Sequence, residues 1–151
     1  MPAPRKPTVS PEIRFLRTKK QISETFEVMR QLRPKLSRTE YLRLVGELGR
    51  KFGYRLMSLK VDKEVKCVAG FRICHSLGWG KYLYVDELVT DSRSRSHGLG
   101  SKALKALVEY AKKAGCGQLR LDSKLNRHRA HRFYLRERMD IECFHFLARL
   151  R

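Results

Sequence analysis

Apolar positions change their period several times along this chain, and each change marks an element. Ile13 to Leu16 reads as a short first strand. From Ser23 to Leu32 the residues Phe26, Val28, Met29 and Leu32 fit one helix, with Ser23 as N-cap and Pro34 beyond its end. Ser37-Arg38-Thr39-Glu40 has the form of a capping box, and Tyr41, Leu42, Leu44, Val45 and Leu48 carry a second helix to about Phe52, before Gly53. The period then shortens. Tyr54 to Val61 and Val65 to Cys74 are apolar, β-branched runs joined by Asp62-Lys63-Glu64, which predicts a hairpin. HSLGWGK makes the next turn, and Tyr82 to Thr90 is the strongest strand pattern in the chain. Leu99, Ala103, Leu104, Leu107, Val108 and Ala111 return to helical spacing, stopped by Gly115 and Gly117. QLRLD predicts a strand, Arg129 to Glu137 a helix, and Ile141 to Leu147 a closing strand.

The order is β-α-α-β-β-β-α-β-α-β. This is a mixed α/β (α+β) fold, with a mostly antiparallel sheet flanked by helices. The unit following Tyr82 to Thr90 is expected to be right-handed and parallel, with its loop at the strand's carboxyl end, where α/β folds bind ligands.

The chain has 151 residues, the size of one domain, and is 42% hydrophobic, enough for a core. Pro2, Pro4, Pro7 and Pro11 beside Arg5 and Lys6 predict a flexible basic arm over residues 1–12, leaving one domain over 13–151. No run is apolar enough to span a membrane, and MPAPRKPTVSPE lacks the apolar centre of a secretory leader, so a cytoplasmic location is expected. Cys67, Cys74, Cys116 and Cys143 are scattered and read as reduced residues rather than a disulfide framework. His128 and His131 have HxxH spacing but no flanking ligands, so no metal is expected.

Charge changes the picture more. With 34 Lys+Arg against 15 Asp+Glu, the formal net charge is +19, which implies an anionic partner. The segment Arg95-Ser96-His97-Gly98-Leu99-Gly100-Ser101-Lys102 offers a place for one. It joins a strong strand to a strong helix, so free N–H groups and the positive dipole end meet there, with Arg95 and Lys102 adding charge. A dinucleotide fold does not fit, although Gly98, Gly100, Ala103 and Asp122 match its fingerprint. The lead-in Asp91 to His97 is long, the chain after Asp122 is short, and hairpins precede the loop. No GxxxxGK[ST] occurs.

Arg95-x-x-Gly98-x-Gly100 resembles the R-x-x-G-x-G/A signature of the GCN5-related N-acetyltransferase (GNAT) superfamily, and Ala130-x-x-x-Tyr134 is similar to the A-x-x-x-Y of its second motif. The element order matches as well, over roughly residues 13 to 147. The resemblance implies an acyl-CoA N-acyltransferase fold and transfer of acetyl from acetyl-CoA to a primary amine, with no metal. It implies that Leu88, Val89, Thr90, the loop from Arg95 to Lys102, Asn126, Ala130 and Phe133 contact the donor. Arg138 and Met139 stand where Gly and Phe are common, Asn126 precedes Ala130 by four residues rather than three, and Thr90 replaces a common Val.

Acetyl transfer needs a neutral amine, donors for an oxyanion and a proton for the departing thiolate. Tyr134 is the acid that the resemblance implies, against simple packing beside Phe133. V-D-E-L is similar to the I/L-E-D of some polyamine-type relatives, and that resemblance implies Asp86 as the first base candidate, acting through water, and Glu87 as the second; each also reads as a surface carboxylate. As strand neighbours they are expected on opposite faces, so at most one reaches the acyl site. The family's central strand bulges near Leu88 or Val89, where the oxyanion donor is expected. The acceptor is open, and the net positive charge favours a neutral or anionic one, or a protein amine beside acidic residues. A second reading remains. Arg127, Arg129, Arg132, Arg136 and Arg138 around Phe133 and Tyr134, with Arg93 and Arg95, form a candidate RNA-binding surface. A monomer and a homodimer both fit the sequence.

Overall fold

A computed structural model describes residues 10–151. The predicted basic arm falls mostly on residues 1–9, outside the described residues, and Glu12 already belongs to the first strand. The elements are β1 (Glu12–Phe15), α1 (Lys19–Glu24), α2 (Phe26–Leu32), α3 (Arg38–Phe52), β2 (Arg55–Val61), β3 (Glu64–Ser76), β4 (Gly80–Thr90), α4 (Leu99–Lys113), β5 (Gln118–Leu121) and α5 (His128–Arg136). One 3-10 turn, Ser92–Ser94, precedes α4. By internal contacts the described chain divides after Arg120, with Leu121–Arg151 as a second unit.

The five strands form one sheet in sequence order, and the pairs β1–β2, β2–β3 and β3–β4 are antiparallel. In the first unit, one sheet face carries Leu56, Val68 and Val89 against Phe26, Met29, Tyr41 and Val45 of α2 and α3. On the other, Phe71 meets Tyr110 of α4 edge-on at 5.1 Å between ring centroids. Alternation along β2 and β3 supplies both faces, which explains why Leu56 through Leu59 and Cys67 through Phe71 are buried without interruption. The β2–β3 hairpin turns through Asp62 and Lys63, both at positive φ (52° and 66°) as a tight right-twisted hairpin requires.

Two expectations are corrected. The helix from Ser23 to Leu32 is two helices. The first starts earlier, capped by Thr18, which accepts from the Gln21 amide while the Gln21 side chain accepts from the Thr18 amide. Ser23 lies inside α1, and the chain breaks at Thr25, whose buried hydroxyl bonds the Ile22 carbonyl (2.6 Å) and the Tyr41 hydroxyl (2.8 Å). That side-chain bond to the backbone competes with a continuous helix. The closing strand Ile141 to Leu147 does not form. Residues 140–151 are exposed and irregular, with Phe144 81% and Phe146 90% accessible. Alternation alone makes no strand without a partner to complete its ladder.

Among the described residues, no helix is long and apolar enough to cross a membrane, and no group of three or more His, Cys, Asp or Glu side chains is placed to hold a metal ion.

Candidate active site

The site is organised by a defect in β4. Along β3 and β4, Gly70 pairs with Glu87, but Phe71 pairs with Val85. Asp86 is therefore an extra residue, a β-bulge. A bulge breaks the alternation of faces, so the expected separation of the two carboxylates fails. Asp86 and Glu87 both line one open cavity of about 320 Å³, together with Leu48, Phe52, Tyr54 and Arg72. The bulge, at Asp86, lies two residues before Leu88.

Each carboxylate has its own partners. Arg72, from β3, grips Asp86 like a fork, with Nε to Oδ2 and Nη2 to Oδ1 both 2.8 Å. That bond to Asp86 raises the guanidinium further above its usual value. Glu87 accepts the Tyr54 hydroxyl at Oε2 (2.6 Å) and an Arg33 guanidinium at Oε1 (3.1 Å). Arg33 also donates to the Asp86 carbonyl (3.2 Å), which ties the residue after α2 to the bulge. Burial, then the charge of Glu87, pushes the Tyr54 hydroxyl well above its ordinary value. Tyr54 therefore stays protonated and donates. Its hydroxyl fits because position 70 is glycine: a Cβ there would collide with the Tyr54 hydroxyl and with Oε2 of Glu87.

β4 runs from this cavity into the glycine loop. Its last residues do different things. Leu88 pairs with Ala69, Val89 is buried in the core with Phe26, and the Thr90 hydroxyl contacts Cys67 Sγ at 3.7 Å. Burial raises the Cys67 thiol to about 11. The loop is anchored by Asp91, almost fully buried, which accepts from the Gln31 amide (2.9 Å), while the Ser92 N–H donates back to Gln31 (2.9 Å). The Gln31 bond outweighs the cost of burial and holds the Asp91 carboxyl below its ordinary value. The Arg95 Nε donates to the Thr90 carbonyl (3.4 Å), and His97 Nδ1 lies 3.1 Å from the Ser94 carbonyl oxygen. Ser96 has φ 67°, and Gly98, the N-cap of α4, has φ 74°. Leu99 and Ala103 are buried and fix the first turn of the helix. The N-cap Gly98 has no side chain to cap α4, and the first turn, with Gly100, Ser101 and Lys102, has no acidic residue. Its leading N–H groups thus face the loop with Arg95 and Lys102 nearby, an arrangement suited to an anion such as a pyrophosphate.

The second unit holds the remaining predicted residues. Asn126 precedes α5, and Ala130, Phe133 and Tyr134 lie on it, with the Phe133 and Tyr134 rings 5.3 Å apart. Asp86, Glu87 and the glycine loop thus share the first unit, and Tyr134 belongs to the second. Sequence reasoning missed Tyr54, Arg33, Arg72, Gly70, Asp91 and Gln31. The only local signal was a Gly-Tyr opening β2 and a glycine inside the apolar run of β3, a common mark of close approach.

Residues 21–139 match the model of the Acetyltransferase (GNAT) family. The chain is 33% identical over 119 residues to the "Uncharacterized N-acetyltransferase YhdJ" of Bacillus subtilis (strain 168), covering 79% of this chain and 84% of that protein. A shorter stretch of 45 residues is 44% identical to the "Probable glucosamine 6-phosphate N-acetyltransferase 2" of Oryza sativa subsp. japonica, covering 30% of this chain and 27% of that one. The fold is shared with the aminoglycoside N-acetyltransferase AAC(6′)-Iy, solved in complex with CoA, at a TM-score of 0.81 and 14% identity, over 94% of this chain and 95% of that one. The chain belongs to the GNAT family of acetyltransferases.

Proposed function

We propose that this protein transfers an acetyl group from acetyl-CoA to a primary amine by direct attack on the thioester. The observation that carries this reading is a single strand, β4, whose bulge gathers two carboxylates in one cavity and whose end leads into a glycine-capped, acid-free helix start bearing Arg95-x-x-Gly98-x-Gly100. The CoA complex of the AAC(6′)-Iy fold neighbour supports the choice of donor. Backbone N–H groups at Gly98 to Lys102, with Arg95, take the pyrophosphate. The backbone of Leu88, Val89 and Thr90 leads from it to the bulge, with the Val89 side chain turned into the core.

Glu87 is the better base of the two. Both oxygens of Asp86 are engaged by the Arg72 fork, so Asp86 holds that guanidinium and the bulge. At Glu87 a guanidinium reaches only Oε1, through one longer bond from Arg33, whose side chain is 44% exposed, while Oε2 accepts from the neutral Tyr54 hydroxyl. Glu87 takes the surplus proton of the amine, directly or through water. The amine lone pair forms the new C–N bond, the C–S bond breaks, and the electron pair leaves on sulfur as a thiolate. Tyr134 is assigned as the acid that protonates it, on the A-x-x-x-Y pattern alone.

Thermal melting with and without micromolar acetyl-CoA tests the donor, because a ligand that binds only the folded state raises the melting temperature. Gly100→Asp places a carboxylate against the pyrophosphate and removes the shift. No shift with the parent protein, beside a salt-sensitive gel shift with RNA, replaces this reading with the nucleic-acid one.

A further inference from the structure

We infer that the acceptor is a primary ammonium carried on an apolar skeleton, seated with its cation toward Glu87 and its hydrocarbon part against Leu48 and Phe52. The inference rests on the acetyltransferase reading above and names the substrate class of the same site. The wall of the cavity holds two carboxylates and one guanidinium, on a chain whose net charge is +19. With Arg33 bonded to Glu87 from beyond that wall, the site's two carboxylates face two guanidiniums, so the excess of positive charge that marks the whole molecule is absent there. Charges within a few ångströms dominate those beyond a screening length of about 8 Å. The expectation of a neutral or anionic acceptor, drawn from net charge, therefore does not carry over to this cavity, where the nearest charges are balanced and Glu87 lines the wall.

The cations of the site are already engaged. Arg72 spends Nε and Nη2 on Asp86, and Arg33 bonds Glu87 and the Asp86 carbonyl. A phosphate or carboxylate on the acceptor would meet Asp86 and Glu87 and find no uncommitted guanidinium in the cavity wall. An ammonium meets Glu87, whose other oxygen is oriented by Tyr54. The rest of the wall is apolar. Leu48 and Phe52 stand one helical turn apart at the end of α3. Phe52 is 60% exposed, a large apolar surface left in water beside a charged cavity. An aromatic face in that place gains both from covering hydrocarbon and from a neighbouring cation.

The test compares 2-phenylethylamine, glucosamine and glucosamine 6-phosphate as acceptors, following CoA thiol release, with the acetyl-CoA melting shift measured alongside. The expected result is a kcat/KM for 2-phenylethylamine about tenfold or more above both sugars, the discrimination an apolar pocket supplies. Phe52→Ala should raise its KM several-fold and leave the acetyl-CoA shift intact. A preference for either sugar, turnover of none of the three, or a Phe52→Ala variant with unchanged KM overturns the inference while an intact shift keeps the donor reading. A missing shift in the parent protein overturns both.

Discussion

A Cβ at Gly70 would fall on the Tyr54 hydroxyl and on Oε2 of Glu87. Gly70→Ala must therefore push apart the pair that orients the proposed base. The expected result is a loss in kcat of about 10- to 100-fold, the scale of a small misplacement of a reacting group, with the acetyl-CoA melting shift kept. Unchanged kcat would remove Glu87 from the chemistry. Tyr41 carries a second prediction. It is 2% exposed, bonded to Thr25, and burial lifts its hydroxyl to about 12. The unfolded chain ionises at about 10, so the folded state holds this proton more tightly. Its contribution, about 2–3 kcal/mol, is complete below pH 10 and is lost as pH rises toward 12. Denaturant unfolding followed from pH 8 to about 12 should show this decline. Tyr41→Phe should start about 1 kcal/mol lower for the lost hydrogen bond and decline less steeply. Asp86 and Glu87 were legible as base candidates because V-D-E-L in the strongest strand pattern is similar to the I/L-E-D of some polyamine-type members of the family. Their partners were not. Arg33 and Tyr54 lie more than thirty residues away, and only the register of β3 against β4 brings Gly70 opposite Glu87.

Helix α4 shows how an element's ends can be tested apart from its middle. Its apolar face, Leu99, Ala103, Leu104, Leu107 and Ala111, is buried as the spacing predicts. Gly98 and Gly115 stand near its two ends with φ 74° and 77°, a left-handed conformation that favours glycine. Alanine at either position should cost about 1–2 kcal/mol, seen as a lower melting temperature. Only Gly98→Ala should also weaken the acetyl-CoA shift, because only that end is proposed to face the pyrophosphate. Equal weakening in both variants would deny the loop its role. The strong amphipathic elements, α3, α4 and β2 to β4, were readable because tertiary packing reinforces a local pattern. The break at Thr25 was hidden, since one buried hydroxyl bond to Tyr41 helps decide it. The bulge at Asp86 was hidden because the sequence alone predicts regular alternation. Ile141 to Leu147 alternates as a strand should, yet pairing depends on a neighbour, which the pattern does not contain.

At the scale of the whole molecule, charge is the dominant imbalance. Fifteen acidic residues face 34 Lys and Arg. Many of the acidic groups described are already paired, among them Glu24 with Lys60, Glu27 with Arg38, Glu47 with Lys51, Glu64 with Lys66, and Glu109 with Lys112. These pairs are largely exposed, and such pairs add at most about 1 kcal/mol each. The excess of positive charge has no internal counterpart, and its self-repulsion opposes the compact state. Salt weakens the pairs and the repulsion together, so the sign of its effect tells which is larger. With +19 uncompensated, repulsion wins. Raising sodium chloride from about 0.02 to 0.3 M, which shortens the screening length several-fold, should raise the melting temperature by a few degrees. Sodium sulfate at equal ionic strength should raise it further, because sulfate also strengthens apolar burial. A melting temperature that falls with sodium chloride would mean that the ion pairs contribute more to stability than the net charge removes. The same screening should weaken acetyl-CoA binding, since Arg95 and Lys102 attract the pyrophosphate through the same field. Stability and donor affinity should therefore respond to salt with opposite signs.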